Sequence, residues 1–318
     1  MQAGTGYFPH QMYQMGARYT APPPQPAAPP IPQPPSEETL KIYMHLENLL
    51  KPELRDTAIV ELSKCRESFQ NLGPMVWYSA GAMAVLLQEI ISVYPLLAAP
   101  QLLQGPVGNR VSSALALLQC VASHQATRKA FLDAQICVFL YPFLRATINE
   151  KAFEYLRLTS LGVIGALVKA DDVEVIRYLL GTEIVPLCLK IMENGSELSK
   201  TVATFVLQRI LFSDQGLAYV CQTPDRFTAV VSVLRCMVSQ PDCSARLLRH
   251  IVRCYLRLTD NARARDALAQ CLPEELRNGT HTQAIKSDEA TKKWMLQLLV
   301  NIGDEGAKRV YENLVSNS

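Results

Sequence analysis

Paired cysteines at metal-ligand spacing are missing from this chain. Nine cysteines are spread over 318 residues, yet no C-x-x-C pair occurs and the count is odd, so zinc-ribbon spacing is excluded. Several lie inside apolar runs, as Cys120 does in ALALLQCVASH, where a thiol acts as a small buried hydrophobe in a reducing compartment. The start also lacks a basic n-region followed by an apolar run, so no signal peptide is expected. Uninterrupted hydrophobic stretches are absent too. The most apolar window, 80–103, is broken by Gln88, Glu89, Pro95 and Pro100, which reads as a core helix and a turn rather than a membrane span. A soluble, intracellular protein with no membrane contact is the expectation. The net charge is only +2, so the total does not announce nucleic acid and the local distribution has to be read instead.

Catalytic constellations are lacking as well. There is no G-x-S-x-G elbow, no G-x-x-x-x-G-K-[ST] phosphate loop and no H-E-x-x-H zinc helix. The histidines at 10, 45, 124, 250 and 281 are dispersed, without a carboxylate or cysteine at ligand spacing. His124 is expected to end a helix by interacting with its dipole. Asp171 and Asp172 read as an N-cap with a first-turn acid. The expectation is no enzyme, no metal and no cofactor.

What is present is a repeat. FEYLRLTSLGVIGALVKA (153–170) and GSELSKTVATFVLQRIL (195–211) read as two long buried helices, with DVEVIRYLLG and EIVPLCLKIMEN as shorter helices between them. Superposing Ile164 on Val206 aligns Leu161 with Ala203, Leu167 with Arg209 and Val168 with Ile210, at an offset of about 42 residues. That period belongs to armadillo or HEAT-type repeats, whose units cover their apolar faces only by stacking on neighbours. Within LGVIGALV, Gly162 is expected where neighbouring helices approach closely, so that overpacking there destabilises.

The neighbours are found in order. Residues 1–35 form a leader with nine prolines between Pro22 and Pro35, expected to be polyproline II or disordered. Ser36 caps the first helix, with Leu40, Ile42, Tyr43, Leu46, Leu49 and Leu50 at helical spacing. A helix after Pro52 places Ala58, Ile59, Leu62 and Cys65 inward, and GPMVWYSAGAMAVLLQEIISVYP (73–95) reads as one apolar helix stopped by Pro95. A loop with Gly105, Pro106 and Gly108 leads to NRVSSALALLQCVASH; PDRFTAVVSVLRCMVSQP, SARLLRHIVRCYLRLTD and NARARDALAQCLP continue the alternation, and TKKWMLQLLVNI caps it. No convincing period-two alternation occurs. The fold class is therefore an all-α, armadillo/HEAT-like right-handed superhelical solenoid of about six repeats over 36–302, with a C-terminal tail at 303–318.

One charge feature stands out. Eight arginines fall between 224 and 265 against Asp225, Asp242 and Asp260. Arg249, Arg253 and Arg257 repeat every four residues and, with Arg246, form one ridge of a helix. Such a ridge reads either as a surface for nucleic acid or an acidic partner, or as an ion-pairing and capping face.

The strings FEYLRLTSLGVIGALVK, ALALLQCVASH, GSELSKTVATF and SARLLRHIVRCYLRL resemble the "required for cell differentiation" family over about 36–301. These are the armadillo-repeat subunits of the CCR–NOT deadenylase complex, which shortens mRNA poly(A) tails. The resemblance implies a non-catalytic adaptor that promotes mRNA decay and translational repression. It implies binding to the large NOT scaffold subunit, to peptides of mRNA-binding repressors in a concave groove, and to tryptophans of silencing proteins in two pockets. Weak RNA or DNA binding, homodimerisation and residence in the cytoplasm, including mRNA-processing bodies, with the nucleus as a second compartment, belong to the same expectation. The matching groove positions are Tyr78, Tyr155, Thr159, Val202 and Phe205, with Tyr78 standing where animal members carry histidine. The tryptophan-pocket positions are Arg226, Arg263 and Ala267, since a guanidinium stacks well on indole; Pro224 replaces an aromatic residue beside them. A competing reading is a direct nucleic-acid-binding module working through the arginine ridge, and salt dependence of binding separates the two.

Overall fold

Ser36 opens the folded chain, its hydroxyl oxygen accepting the Thr39 N–H at 3.2 Å and satisfying a donor the first turn would otherwise leave unpaired. The computed structural model describes residues 36–148, 150–240, 243–281 and 283–316, with side-chain detail as far as residue 311. The proline-rich leader expected at 1–35 lies outside the described residues. Seventeen α-helices and no strand occur among the described residues.

The helices fall into stacked units. A pair, α1 (Glu37–Leu49) and α2 (Pro52–Lys64), comes first. Four triplets follow, the first three with two short helices before a long one: α3 (Leu72–Tyr78), α4 (Ala82–Ile91) and α5 (Gly105–Ser123); α6 (Gln125–Asp133), α7 (Tyr141–Arg145) and α8 (Lys151–Lys169); α9 (Val173–Leu180), α10 (Ile184–Asn194) and α11 (Glu197–Phe212); α12 (Asp214–Cys221), α13 (Pro224–Val238) and α14 (Ala245–Leu258). The closing unit is α15 (Ala262–Cys271), α16 (Glu289–Asn301) and α17 (Glu305–Ser316). The helices α2, α5, α8, α11, α14 and α16 pack successively against one another, so one solenoid of six units is built, as the repeat period predicts. Local chemistry sets the starts: Asp172, Ser196, Thr223, Ser244, Asn261 and Asp288 all cap with side-chain oxygens.

Several local expectations are corrected. The stretch read as one helix from 73 to 95 is two, bent by 92°. Gly81 takes φ +77° at the corner, a left-handed conformation that costs glycine little, while the Ser79 hydroxyl donates to the Met75 carbonyl at 2.6 Å. The segment is apolar all round, so periodicity carries no sign of the break. Gly105 and Gly108 belong to α5 rather than to a loop. Leu40, Tyr43 and Leu50 are exposed, leaving Ile42, Leu46 and Leu49 as the inner face of α1. His124 serves the next helix rather than the previous one: its Nδ1 accepts the Ala126 N–H at 3.1 Å and caps α6. The helix α12 was not anticipated. Residues 303–318, read as a tail, contain α17, whose Tyr311 is fully buried.

Candidate functional site

A groove of about 740 Å³ crosses four successive long helices. Its floor is small and apolar: Gly162, Gly165 and Ala166 from α8, with Val202 and Phe205 from α11. A Cβ at Gly165 would lie 3.8 Å from Phe205 Cε1, in ordinary van der Waals contact, so the Phe205 ring stands close over this part of α8. Its rim is cationic, with Arg128, Lys169, Arg246 and Arg249, and no carboxylate lines it. Gln119 also lines an adjoining cleft of about 450 Å³ that contains Tyr155 and Thr159. Tyr155, Thr159, Gly162, Ala166 and Lys169 follow one another at alternating steps of four and three, a single stripe along α8. The two clefts are therefore one continuous path.

Buried polar contacts hold this floor in place. Glu154 of α8 accepts from the Ser199 hydroxyl at 2.6 Å and also from the Ser196 hydroxyl, while pairing with buried Arg157. Burial works against its charge, but these hydroxyls and Arg157 hold the carboxyl below its usual range. Arg157 donates to the carbonyls of Ala146 and Ile148 at 2.7 and 2.8 Å, fixing the turn before α8. On the far wall His250 meets Gln208 Oε1 through Nδ1 at 2.7 Å and stands edge-to-face with Phe205, ring centres 5.7 Å apart. Burial, aided by Arg246, Arg253 and Arg249, pushes its pKa down to about 4, so the imidazole is neutral at pH 7.

The groove residues expected from the sequence separate into two groups. Val202 and Phe205 lie in the main cleft, and Tyr155, at 55% exposure, and Thr159 lie in the adjoining one. Tyr78 ends α3 at the bend, 69% exposed, and lines neither cleft. Arg226 stands at the start of α13 with its guanidinium 4.0 Å from the centre of the Tyr219 ring, donating to Gln222 Oε1 at 2.9 Å. The indole-stacking face expected of it is thus already occupied on one side. Arg263 is exposed on α15, and Ala267 lies half-buried one turn later.

Comparison with known proteins places this architecture. A family model described as "Cell differentiation family, Rcd1-like" matches residues 45–302. The chain belongs to the Rcd1-like cell differentiation family. It is 58% identical over 272 residues to "Cell differentiation protein rcd1" of Schizosaccharomyces pombe, covering 85% of this chain and 96% of that protein. It is 53% identical over 267 residues to "Protein CAF40" of Saccharomyces cerevisiae, covering 83% of this chain and 71% of that one. Among solved structures an engineered protein superposes with a TM-score of 0.59 at 14% identity, over 82% of this chain and 98% of that chain. That likeness concerns the fold alone.

In this Rcd1-like chain the arginine ridge is not an open surface. Arg249 pairs with Asp288 at 2.8 Å, and Arg257 donates to the Leu211 carbonyl at 3.0 Å and pairs with Asp214 and Asp260. Arg253 lies between two aromatic rings. Only Arg246 and Arg249 reach the groove rim. The sequence reading missed Gln119, Arg128, Lys169 and His250 as groove residues. The signal for Lys169 was the stripe beginning at Tyr155; Gly162 was read as a packing residue instead, and the structure puts it on the floor, where a Cβ would meet only the Gln119 side chain, its Oε1 at 3.5 Å.

Proposed function

We propose that this chain is a non-catalytic adaptor of the CCR–NOT mRNA deadenylase machinery. In this reading it binds the large NOT scaffold subunit on one surface and receives short peptides of mRNA-binding repressors in the groove. It thereby promotes deadenylation, decay and translational repression in the cytoplasm, including mRNA-processing bodies, and in the nucleus. The observation that carries the peptide part is the groove itself, an apolar floor under a cationic rim across four helices. Long helices pack at about 8–10 Å, so the path is roughly 25–30 Å, the length of a helix of about 17–20 residues. An amphipathic helix with an apolar stripe and acidic flanks suits it by the helix-in-groove mode. Affinity purification from the native cell, followed by identification of the co-purifying subunits, tests the adaptor role. Recovery of deadenylase subunits is expected, and their complete absence would overturn the reading.

Direct nucleic-acid binding is the second reading, favoured by Lys169 and Arg246, which hold no carboxylate among the described residues. RNA affinity falling steeply between low and physiological salt, with no partner protein needed, would support it.

A further inference from the structure

Among the arginines of α14, one is held by rings instead of carboxylates. The Arg253 Cζ lies 4.5 Å from the centre of the Phe212 ring and 4.6 Å from that of Trp294, so the guanidinium is held by one ring of α11 and one of α16. Aromatic faces stabilise the cation, but its N–H donors lie in the guanidinium plane and need acceptors there. No carboxylate or carbonyl of the described residues hydrogen-bonds to it. Its neighbours one turn away are taken, Arg249 by Asp288 and Arg257 by Leu211, Asp214 and Asp260. Arg253 opens on a cleft of about 320 Å³ that Leu256, Arg257 and Asp260 also line, with the two rings.

We propose that Arg253 is a receptor for a single carboxylate, the side chain of a Glu or Asp in a partner peptide, its planar fork preset by Phe212 and Trp294. Two stacked rings remove most of the rotational freedom a free arginine side chain must lose on binding, and a carboxylate matches the fork with two parallel hydrogen bonds. Apolar residues flanking that carboxylate meet Leu256 and the two rings. A phosphodiester chain fits less well, because it carries a charge at every nucleotide and Asp260 and exposed Asp214 stand beside the cleft. This cleft shares no lining residue with the groove invoked above, so the inference stands or falls separately from it.

The test follows the indole N–H signal of Trp294 in the nitrogen-15-labelled full chain, told apart from that of Trp77 with a Trp77→Phe variant. The probe is a blocked pentapeptide, Ala-Leu-Glu-Leu-Ala, set against the same peptide with glutamine and against a uridine pentanucleotide. A saturable shift with the glutamate peptide is expected, about fivefold or more weaker with glutamine because the charge-assisted fork is lost. Arg253→Lys should weaken the glutamate peptide by a similar factor, since lysine keeps the charge without the planar fork. Equal binding of the two peptides, undiminished binding by Arg253→Lys, or no shift at all would overturn the proposal. So would a uridine pentanucleotide that shifts Trp294 at lower concentration than the glutamate peptide. Should Arg253→Lys fail to fold, the contrast between glutamate and glutamine peptides on the unmodified chain decides alone.

Discussion

Arg257 Nε donates to the carbonyl of Leu211 at 3.0 Å, joining the last turn of one long helix to the end of the previous one. The same guanidinium pairs with Asp214, the first residue of α12. One unit earlier, Arg209 Nε donates to the Val168 carbonyl at 3.4 Å and pairs with Asp171, between α8 and α9. The device occurs twice: an arginine in the last turn of α11 and of α14 donates to a C-terminal carbonyl of the preceding long helix and takes a carboxylate just beyond it. These arginines are fasteners between units.

Arg257→Gln should therefore lower stability with little effect on a peptide in the main groove, which Arg257 does not line. The Leu211 carbonyl is left without its charged donor, a loss of about 1–3 kcal/mol, while the pair with exposed Asp214 adds little. Thermal unfolding by circular dichroism should show a melting temperature several degrees lower, at about 2–4 °C per kcal/mol. An unchanged melting temperature would mean that the fastener does not matter.

Val202→Glu should abolish binding of groove peptides while the chain stays folded. Val202 is partly exposed on the groove floor, so the carboxylate is solvated in the free protein and loses its water only beneath an apolar peptide, costing several kcal/mol. Native circular dichroism with lost peptide binding is the expected pair of results; unfolding would place Val202 in the core.

Gly162→Leu should act on binding more than on folding. The structure reverses the expectation of severe overpacking, because the added side chain rises into the groove past the flexible Gln119. Melting within about 1 kcal/mol of the parent, with groove peptides excluded, is the outcome to check by calorimetry and fluorescence anisotropy.

Gly216→Ala should be the more damaging glycine change. A Cβ there would sit 1.9 Å from the Ile210 carbonyl oxygen, backbone that cannot swing aside, so the cost should exceed the usual overpacking range of about 1–3 kcal/mol. Denaturant unfolding measures it.

His250 makes stability depend on acid. Its folded pKa, about 4, lies below the ordinary 6.5, so between these values the unfolded chain binds more protons than the native one. Stability from this group is whole above pH 6.5 and is lost as pH falls toward 4. His250→Gln, which can keep the contact to Gln208, should flatten that part of the pH profile. An identical slope in parent and variant would show that another group is responsible.

The period of about 42 residues, the caps at Ser36 and Asp172, and the apolar faces of α8 and α11 were legible because each rests on spacing within one helix or one turn. The strings that resemble the Rcd1-like family named it for the same reason. The bend at Gly81 escaped, since α3 and the first turns of α4 are apolar on all sides and a 3.6-residue period has little to contrast across the corner. Four-residue spacing correctly put Arg249, Arg253 and Arg257 on one ridge. It said nothing of what faces that ridge.

The sequence by itself determined the helices, their order and their need to stack, because propensity, capping and amphipathic period act over a few residues. Only the tertiary structure decided the fate of each outward side chain. Val202 and Gly162 became a floor because α5 and α14 stand beside them. Arg249 and Arg257 were neutralised by Asp288 and Asp214, 39 and 43 residues away. Arg253 was left against two rings with no acceptor among the described residues. Whether a charge is spent or available depends on partners brought together by stacking, and no local pattern encodes that distance.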